Sequence, residues 1–290
     1  MQSYKKYLTF ANFCYSKNRP SSKIVTEQRF SGHKICIFGK KAVPLHRSHT
    51  FNELDLTNRM DKEKQHIGQL FDRIAGTYDG LNHLLSLNID KRWRRRAIRM
   101  LRPAGQVLDV AIGTADLTIE LLRQQKAQQV TGIDLSRKMM EIGKQKVAKR
   151  GYAQLVRFDY GSAQDMPYAD ASFDTVTCAY GVRNFSEMDK GLQEMHRVLR
   201  QGGQLLVLEF SYPTNPLIRW GYDLYFTHIL PLVGNLFSRD KGAYSYLNRS
   251  VKHFPYGEAF CEHLRNAGFT AVTATPLTFG ITTAYYAVKP

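Results

Sequence analysis

Between Gln106 and Phe210, short apolar runs alternate with amphipathic stretches, and this alternation limits what the chain can fold into more than any other feature. Gln106–Ala111, Val130–Ile133, Leu155–Asp159, Phe173–Ala179 and Gln204–Phe210 are aliphatic and too brief for helices, so they read as buried strands. Between them Leu117, Leu121 and Leu122, then 137–150, then Met188, Leu192, Met195 and Leu199 fit helices, the last over 187–199 with Gly202-Gly203 expected to stop it. Strands joined by crossover helices form a parallel sheet covered on both faces, because the right-handed connection returns each helix to the sheet. A helix over 256–267 and two alternating runs, Thr270–Thr275 and Ile281–Val288, close the chain, the runs as an antiparallel pair. The expected architecture is α/β, a seven-stranded, mostly parallel sheet with helices on both faces.

Upstream of this pattern, Ile67, Leu70, Phe71, Ile74 and Tyr78 fall at helical spacing, as do Trp93, Ala97, Ile98 and Leu101. Residues 1–60 have no sustained period and hold eleven Lys and Arg against three acids. They are read as a basic, disordered extension outside the fold, either an organelle targeting segment or the product of a start that belongs at Met60. Residues 61–290 then form one domain. The net charge of +16 raises nucleic-acid binding as a function, but half of it lies in that extension and no nucleic-acid motif accompanies it. No apolar stretch is long enough to span a bilayer. Four cysteines without a C-x-x-C pair predict neither a disulfide framework nor a metal site.

In a parallel sheet, ligands sit where strand C-termini meet helix N-termini. Gly113 stands at that junction, where a glycine admits close backbone approach and the helix start offers free N–H groups. Dinucleotide enzymes place G-x-G-x-x-G here to hold a pyrophosphate. This chain has only Gly113, and Asp116 puts a negative charge in the first helical turn, at the end of the dipole that a phosphate would need. A nicotinamide oxidoreductase is therefore disfavoured, and acids at 109 and 116 suit a cationic sulfonium ligand. Asp134 ends the second strand, where a carboxylate accepts from ribose hydroxyls; it points to adenosine without choosing the cofactor, and its weaker alternative is a neighbour of a helix cap at Ser136. Gly161–Pro167 makes a polar loop on the same edge, beside the expected adenine position or as a plain turn.

Several stretches together resemble the quinone C-methyltransferases of menaquinone and ubiquinone biosynthesis, within the class I methyltransferases. They are Phe71–Asp79 with Asn82, Arg92-Trp93-Arg94, Tyr180–Asn184, Arg197–Leu205 and Leu208–Ser211, with Leu230-Pro231 and Tyr244–Leu247 further on. The resemblance covers about 65–290 and implies a Rossmann-like fold and S-adenosyl-L-methionine as cofactor. Carried over, its cofactor contacts fall on Thr114, Asp134, Ser162 and Ala163, beside Gly113; a contact usual at the end of the fourth strand falls on Ala179, which has no polar side chain.

The implied reaction moves a methyl group to a ring carbon of a polyprenylated quinol, with demethylmenaquinol favoured over a methoxybenzoquinol and over another small-molecule acceptor. Such a carbon becomes nucleophilic once a neighbouring hydroxyl ionises, so the site needs alignment and a group that stabilises phenolate. Arg183 is the candidate for that charge, Asn184 for orienting it, and Tyr78 with Asp79 for capping the pocket. The apolar, aromatic region Leu217–Phe237 suits the prenyl tail or a bilayer surface. The expected setting is a peripheral position at the inner face of a bacterial membrane, with the mitochondrial matrix as the alternative, no nucleic-acid partner, and room for a homodimer.

Overall fold

Val107, Leu108 and Val110 are fully buried in a strand whose neighbouring side chains serve opposite faces, which is what a two-sided parallel sheet requires. The structure is a computed structural model that describes residues 27–30, 33–38, 41–44, 53–225, 227 and 250–290. Two units are distinct, residues 1–57 and 58–290. In the first, strands β1 (Glu27–Phe30), β2 (His33–Phe38) and β3 (Lys41–Pro44) form an antiparallel sheet in the order β1-β2-β3. The sequence reading assigned no element to residues 1–60; these strands are the difference, together with helix α1, which begins at Glu53 and runs to Leu85.

In the second unit α1 continues into α2 (Ile89–Ile98), β4 (Ala104–Val110), α3 (Asp116–Arg123), β5 (Ala127–Asp134), α4 (Arg137–Lys149) and β6 (Val156–Tyr160). Then come β7 (Phe173–Ala179), α5 (Met188–Val198), β8 (Leu199–Phe210), α6 (Pro216–Leu224), α7 (Glu258–Asn266), β9 (Thr270–Leu277) and β10 (Thr282–Val288). The seven strands lie in the order β6-β5-β4-β7-β8-β10-β9. All pairs from β6 to β8 are parallel, and β10 runs antiparallel to both β8 and β9. The chain leaves β4 towards β5 and later returns to its other side as β7. The strand order therefore reverses between β4 and β7, and a crevice opens at their C-terminal ends.

Side-chain alternation divides the core. Leu108, Val110, Val176, Leu205 and Val207 pack with Leu192 and Met195 of α5 and Phe260 and Leu264 of α7. Val107, Val130, Leu206 and Leu208 face Trp93, Ala97 and Ile98 of α2 and Leu117 and Leu121 of α3. Helices thus cover both faces, as the sequence pattern requires.

One boundary differs. The expected helix 187–199 ends at Val198, and Gly202-Gly203 lie inside β8 instead of stopping a helix. Leu199 pairs with Phe173 and Gln204 with Thr175, so β8 carries the extra residues as a bulge. Gly202 sits there at φ 70°, and a Cβ on Gly203 would lie 2.7 Å from the Arg200 carbonyl oxygen. Of the expected apolar region Leu217–Phe237, α6 and Tyr225 are described; 226 and 228–249, with the stretches Leu230-Pro231 and Tyr244–Leu247, lie outside the described residues.

Candidate active site

The turn after β4 is held in a conformation that ordinary residues adopt rarely. Ala111, Gly113 and Ala115 have φ of 56°, 54° and 64°, and such clustering of left-handed residues marks functional turns. The carboxylate of Asp134 braces this turn, its Oδ2 accepting from the Gly113 N–H at 2.8 Å and its Oδ1 from the Ser136 N–H at 2.8 Å. Burial pushes the Asp134 carboxyl above its usual range, although the backbone donors of Ser136, Gly113 and Leu135 oppose that shift. A carboxylate has about four acceptor positions, so Asp134 keeps capacity for a further donor such as a ribose hydroxyl.

Asp134 lines a cavity of about 100 Å³ together with Gly113, Ser162, Ala163, Gly181 and Asn184. Loop Gly181–Asn184 closes against the turn so tightly that a Cβ on Gly181 would lie 2.6 Å from the Ala111 Cβ and 2.7 Å from Cys178 Sγ. Helix α1 forms the remaining wall with Gly68, Phe71 and Tyr78. It is fastened at both ends of that wall. Asp72 Oδ1 accepts from Ser136 Oγ at 2.6 Å and from the Lys138 N–H at 3.0 Å, at the start of α4. Asp79 Oδ1 accepts from Thr114 Oγ1 at 2.6 Å while its Oδ2 pairs with Lys146 Nζ at 2.6 Å. Gly68 permits the approach, since a Cβ there would meet the Leu135 carbonyl oxygen at 2.8 Å.

Through Tyr78, Ala179 and Tyr180, which line both, this cleft adjoins a larger cavity of about 550 Å³. Leu70, Ile74, Ile89, Trp93, Phe210 and Ile281 make much of its wall apolar. Arg183 lines it from beside the sheet edge. Its Nη1 donates to Glu209 Oε1 and to the Tyr180 carbonyl, each at 2.6 Å, and its guanidinium lies 5.3 Å from the Phe210 ring centre. Glu209 is fully buried and also accepts from the backbone N–H of Arg183 at 3.3 Å and of Phe210 at 2.9 Å. Asn184 Nδ2 donates to the same Tyr180 carbonyl at 3.3 Å. The Tyr78 phenol is raised by burial, an effect that the Arg183 charge partly offsets.

Asp116 does not act as the sequence reading expected. It accepts from Arg94 Nη2 at 2.9 Å and from Lys146 Nζ at 2.5 Å, so its charge is already compensated and does not set the sign of the ligand. Burial alone would raise this carboxyl, but the Arg94 and Lys146 charges outweigh it and hold it below its usual range. Asp109, the other acid of that argument, has no cationic partner among the described residues. Burial lifts its carboxyl to about 6 against the opposing hydrogen bonds from Thr118 and Thr177. His83, Asp90 and Asp116 stand close enough to suggest a metal site, but Arg94 Nη2 already bridges the two carboxylates, donating to Asp90 at 2.5 Å.

The structure thus gathers Gly113, Asp134, Ser162, Ala163 and Asn184 around the smaller cavity, and Arg183 and Thr114 around the larger. Tyr78 and Gly113 line both, whereas the Thr114 hydroxyl is engaged by Asp79. Ala179 faces both cavities without a polar group, as its side chain dictates. Sequence reasoning missed Glu209, whose signal was a lone carboxylate in the run Leu205–Phe210, and it missed Gly68, whose close approach to Leu135 only the fold reveals.

Residues 59–289 match the ubiE/COQ5 methyltransferase family. A demethylmenaquinone methyltransferase of Bacteroides fragilis is 42% identical over 79% of this chain and 94% of its own length. The ubiquinone/menaquinone biosynthesis C-methyltransferase UbiE of Geotalea daltonii is 42% identical over 80% and 99%. Among solved structures, a SAM-dependent methyltransferase of Thermotoga maritima, a possible histamine N-methyltransferase, superposes with TM-score 0.56 at 18% identity, covering 78% of this chain and all of that one. That likeness speaks for the fold alone. The family match and both relatives span most of the chain beyond residue 58, and the chain belongs to the ubiE/COQ5 methyltransferase family.

Proposed function

We propose that the protein transfers a methyl group from S-adenosylmethionine to a ring carbon of a polyprenylated hydroquinone, with demethylmenaquinol as substrate. The observation that carries this reading is the pair of adjoining cavities. One is small and anchored on the Asp134 carboxylate; the other is large, apolar and lined by the guanidinium of Arg183. The first fits an adenosyl group, since Asp134 is pre-oriented by backbone donors and keeps acceptor capacity for a ribose hydroxyl. When bound there, the cofactor supplies an electrophilic methyl group on a positively charged sulfur.

The residues of the chain supply the rest. The apolar walls hold the ring and exclude bulk water, so that charge inside the cavity is felt strongly. Arg183, fixed by Glu209 and by the Tyr180 carbonyl, favours the ionised form of a ring hydroxyl beside it. It stays protonated throughout and is not the base. The hydroxyl proton passes to water, and the ionised oxygen raises electron density on the adjacent carbon; that carbon takes the methyl group as the carbon–sulfur bond breaks to leave a neutral thioether, then loses its own hydrogen as a proton to water, which restores the aromatic ring. Tyr78, with its phenol raised by burial and hydrogen-bonded with Asn82, lines the place where the two cavities meet.

A prenyl tail needs an apolar way out. Leu87, Leu217 and Phe279 line the larger cavity yet are 76%, 74% and 75% exposed, and the neighbouring Trp220 is 66% exposed. No helix among the described residues is long and apolar enough to cross a membrane. An exposed apolar rim around the mouth suits peripheral contact with a bilayer that delivers the tailed substrate. The test offers demethylmenaquinol and a methoxybenzoquinol side by side under anaerobic reducing conditions. Transfer of the labelled methyl group to the ring carbon of demethylmenaquinol is expected, and faster turnover of the benzoquinol would reassign the substrate. Labelling of neither removes the reading.

A further inference from the structure

Helix α2 carries charge that the methyl-transfer chemistry does not use. Its inner side packs Trp93, Ala97 and Ile98 against the sheet, while Lys91, Arg92, Arg95, Arg96 and, just past its end, Arg99 are exposed. Arg95 lies 3.6 Å from Glu120, a carboxylate that Arg123 also takes. The guanidinium groups of Arg92, Arg96 and Arg99 make no ion pair or hydrogen bond among the described residues. Spaced at i, i+4 and i+7, these three form one row along the helix. The row is about 10 Å long, close to the distance over which physiological salt screens a charge. The single acid of α2, Asp90, is buried and paired with Arg94.

The N-terminal end of this row reaches the mouth of the larger cavity. Leu87 stands just before α2, and Trp93 Nε1 donates to Thr278 Oγ1 at 2.7 Å, which brings the Thr278–Gly280 turn with its exposed Phe279 beside the helix. Ser211 Oγ donates to the Gly280 carbonyl at 2.7 Å, and from Ser211 the chain leads through Pro213 into α6. There Leu217, Trp220 and Leu224 are exposed at i, i+3 and i+7, whereas Ile218, Gly221 and Tyr222 line the cavity. Helix α6 is thus apolar on its outer face as well as its inner one. Its single acid, Asp223, is engaged by the Tyr212 hydroxyl.

An unpaired cationic row beside an apolar rim is complementary to a surface that is anionic outside and hydrocarbon beneath. A nucleic acid would use the cations but leave the leucines, Trp220 and Phe279 in water. We propose that Arg92, Arg96 and Arg99 bind the headgroups of anionic phospholipids while the outer face of α6 and Phe279 enter the hydrocarbon border, so that the mouth of the larger cavity opens onto the bilayer. The contact rests on the quinol reading, which puts the tailed substrate in a membrane. It adds that this membrane is anionic, and that α2 reads its charge.

Sedimentation of the full chain with vesicles tests the contact, using phosphatidylcholine alone or with about a third of it replaced by phosphatidylglycerol. Binding to the anionic vesicles should be roughly tenfold tighter or more. Arg92→Gln, Arg96→Gln and Arg99→Gln combined should weaken it on the order of 100-fold, and the same three changed to Lys should retain it. Salt at about 1 M, where screening shortens to about 3 Å, should erase the preference. Trp93 is buried, so a blue shift of tryptophan emission on binding reports Trp220, the other tryptophan, entering the bilayer. The Gln triple should methylate a short-chain, water-soluble hydroquinone at the parent rate and lose turnover only of a long-tailed one embedded in anionic vesicles. Equal binding to both kinds of vesicle, or undiminished binding by the Gln triple, overturns the proposal. Tighter binding of a nucleic-acid oligonucleotide than of anionic vesicles does so too, and assigns the row to that partner. If the parent protein sediments with anionic vesicles but methylates neither hydroquinone, the quinol reading fails and the surface stands. Methylation without any preference between the vesicles leaves that reading intact and refutes the surface alone.

Discussion

Replacing Glu209 by Gln removes the counter-charge of Arg183 while preserving side-chain shape. Glu209 is fully buried, and its two oxygens accept three hydrogen bonds, from Arg183 Nη1 at 2.6 Å, Phe210 N at 2.9 Å and Arg183 N at 3.3 Å. A glutamine offers one acceptor oxygen and turns a donor towards one of these N–H groups. Breaking a buried pair from one side costs about 3 to 5 kcal/mol, because the surviving charge stays buried. For a domain of this size that corresponds to a fall in Tm on the order of 10 °C, measured by calorimetry or circular dichroism. Activity should fall further than stability explains. A loosened Arg183 no longer meets the ionising hydroxyl at a fixed place, and losing one such donor costs about 10²-fold in kcat. The paired change Arg183→Met with Glu209→Leu separates the two effects: it should recover much of the lost stability and none of the activity. If Glu209→Gln melts within about 2 °C of the parent, or the paired change is as unstable as the single one, the buried ion pair does not hold this edge of the site.

Gly181→Ala pushes a methyl group to 2.6 Å from the Ala111 Cβ and 2.7 Å from Cys178 Sγ, so the loop must back away from the turn. Affinity for S-adenosylhomocysteine, read by titration calorimetry, should drop roughly tenfold with a stability loss of about 1 to 3 kcal/mol; unaltered affinity would disconnect this contact from the cofactor. Asp109, lifted to about 6 from 3.8, binds its proton more tightly folded than unfolded, so it lowers stability progressively as pH rises from about 4 to 6. Asp109→Asn should therefore gain on the parent by about 3 kcal/mol in unfolding free energy between pH 4 and pH 7, and a difference flat with pH would contradict the shift.

Local pattern sufficed for the sheet. The strand read at Phe173–Ala179 has those bounds, and β5 ends on Asp134 where the ribose argument needed an acid. Gly202-Gly203 misled because a left-handed glycine looks the same in sequence whether it ends a helix or forms a bulge. The acid argument at Asp116 failed for a related reason: its neutralising cations, Arg94 and Lys146, lie 22 and 30 residues away and reach it only through the fold. The covering role of α1 was equally invisible, since it depends on Asp72 meeting Ser136 across 64 residues. What the chain reveals locally is which residues are buried or poised at strand ends; which charge meets which is decided by tertiary packing.

The position of β10 bears on how the protein is made. Residues 282–288 are threaded between β8 and β9, so β8 and β9 lack the strand that joins them until β10, the last of the seven to be made, has been synthesised. On the ribosome, β4, β5, β6, β7 and β8 can associate early through their parallel pairings, but β8 then presents a bare edge and β9 has nothing to pair with. The chain must wait in an incomplete state with an open strand edge, the condition that chaperones guard against. Removing β10, residues 282–288, would leave the protein stranded there, far more damaging than a deletion of equal length in a surface loop.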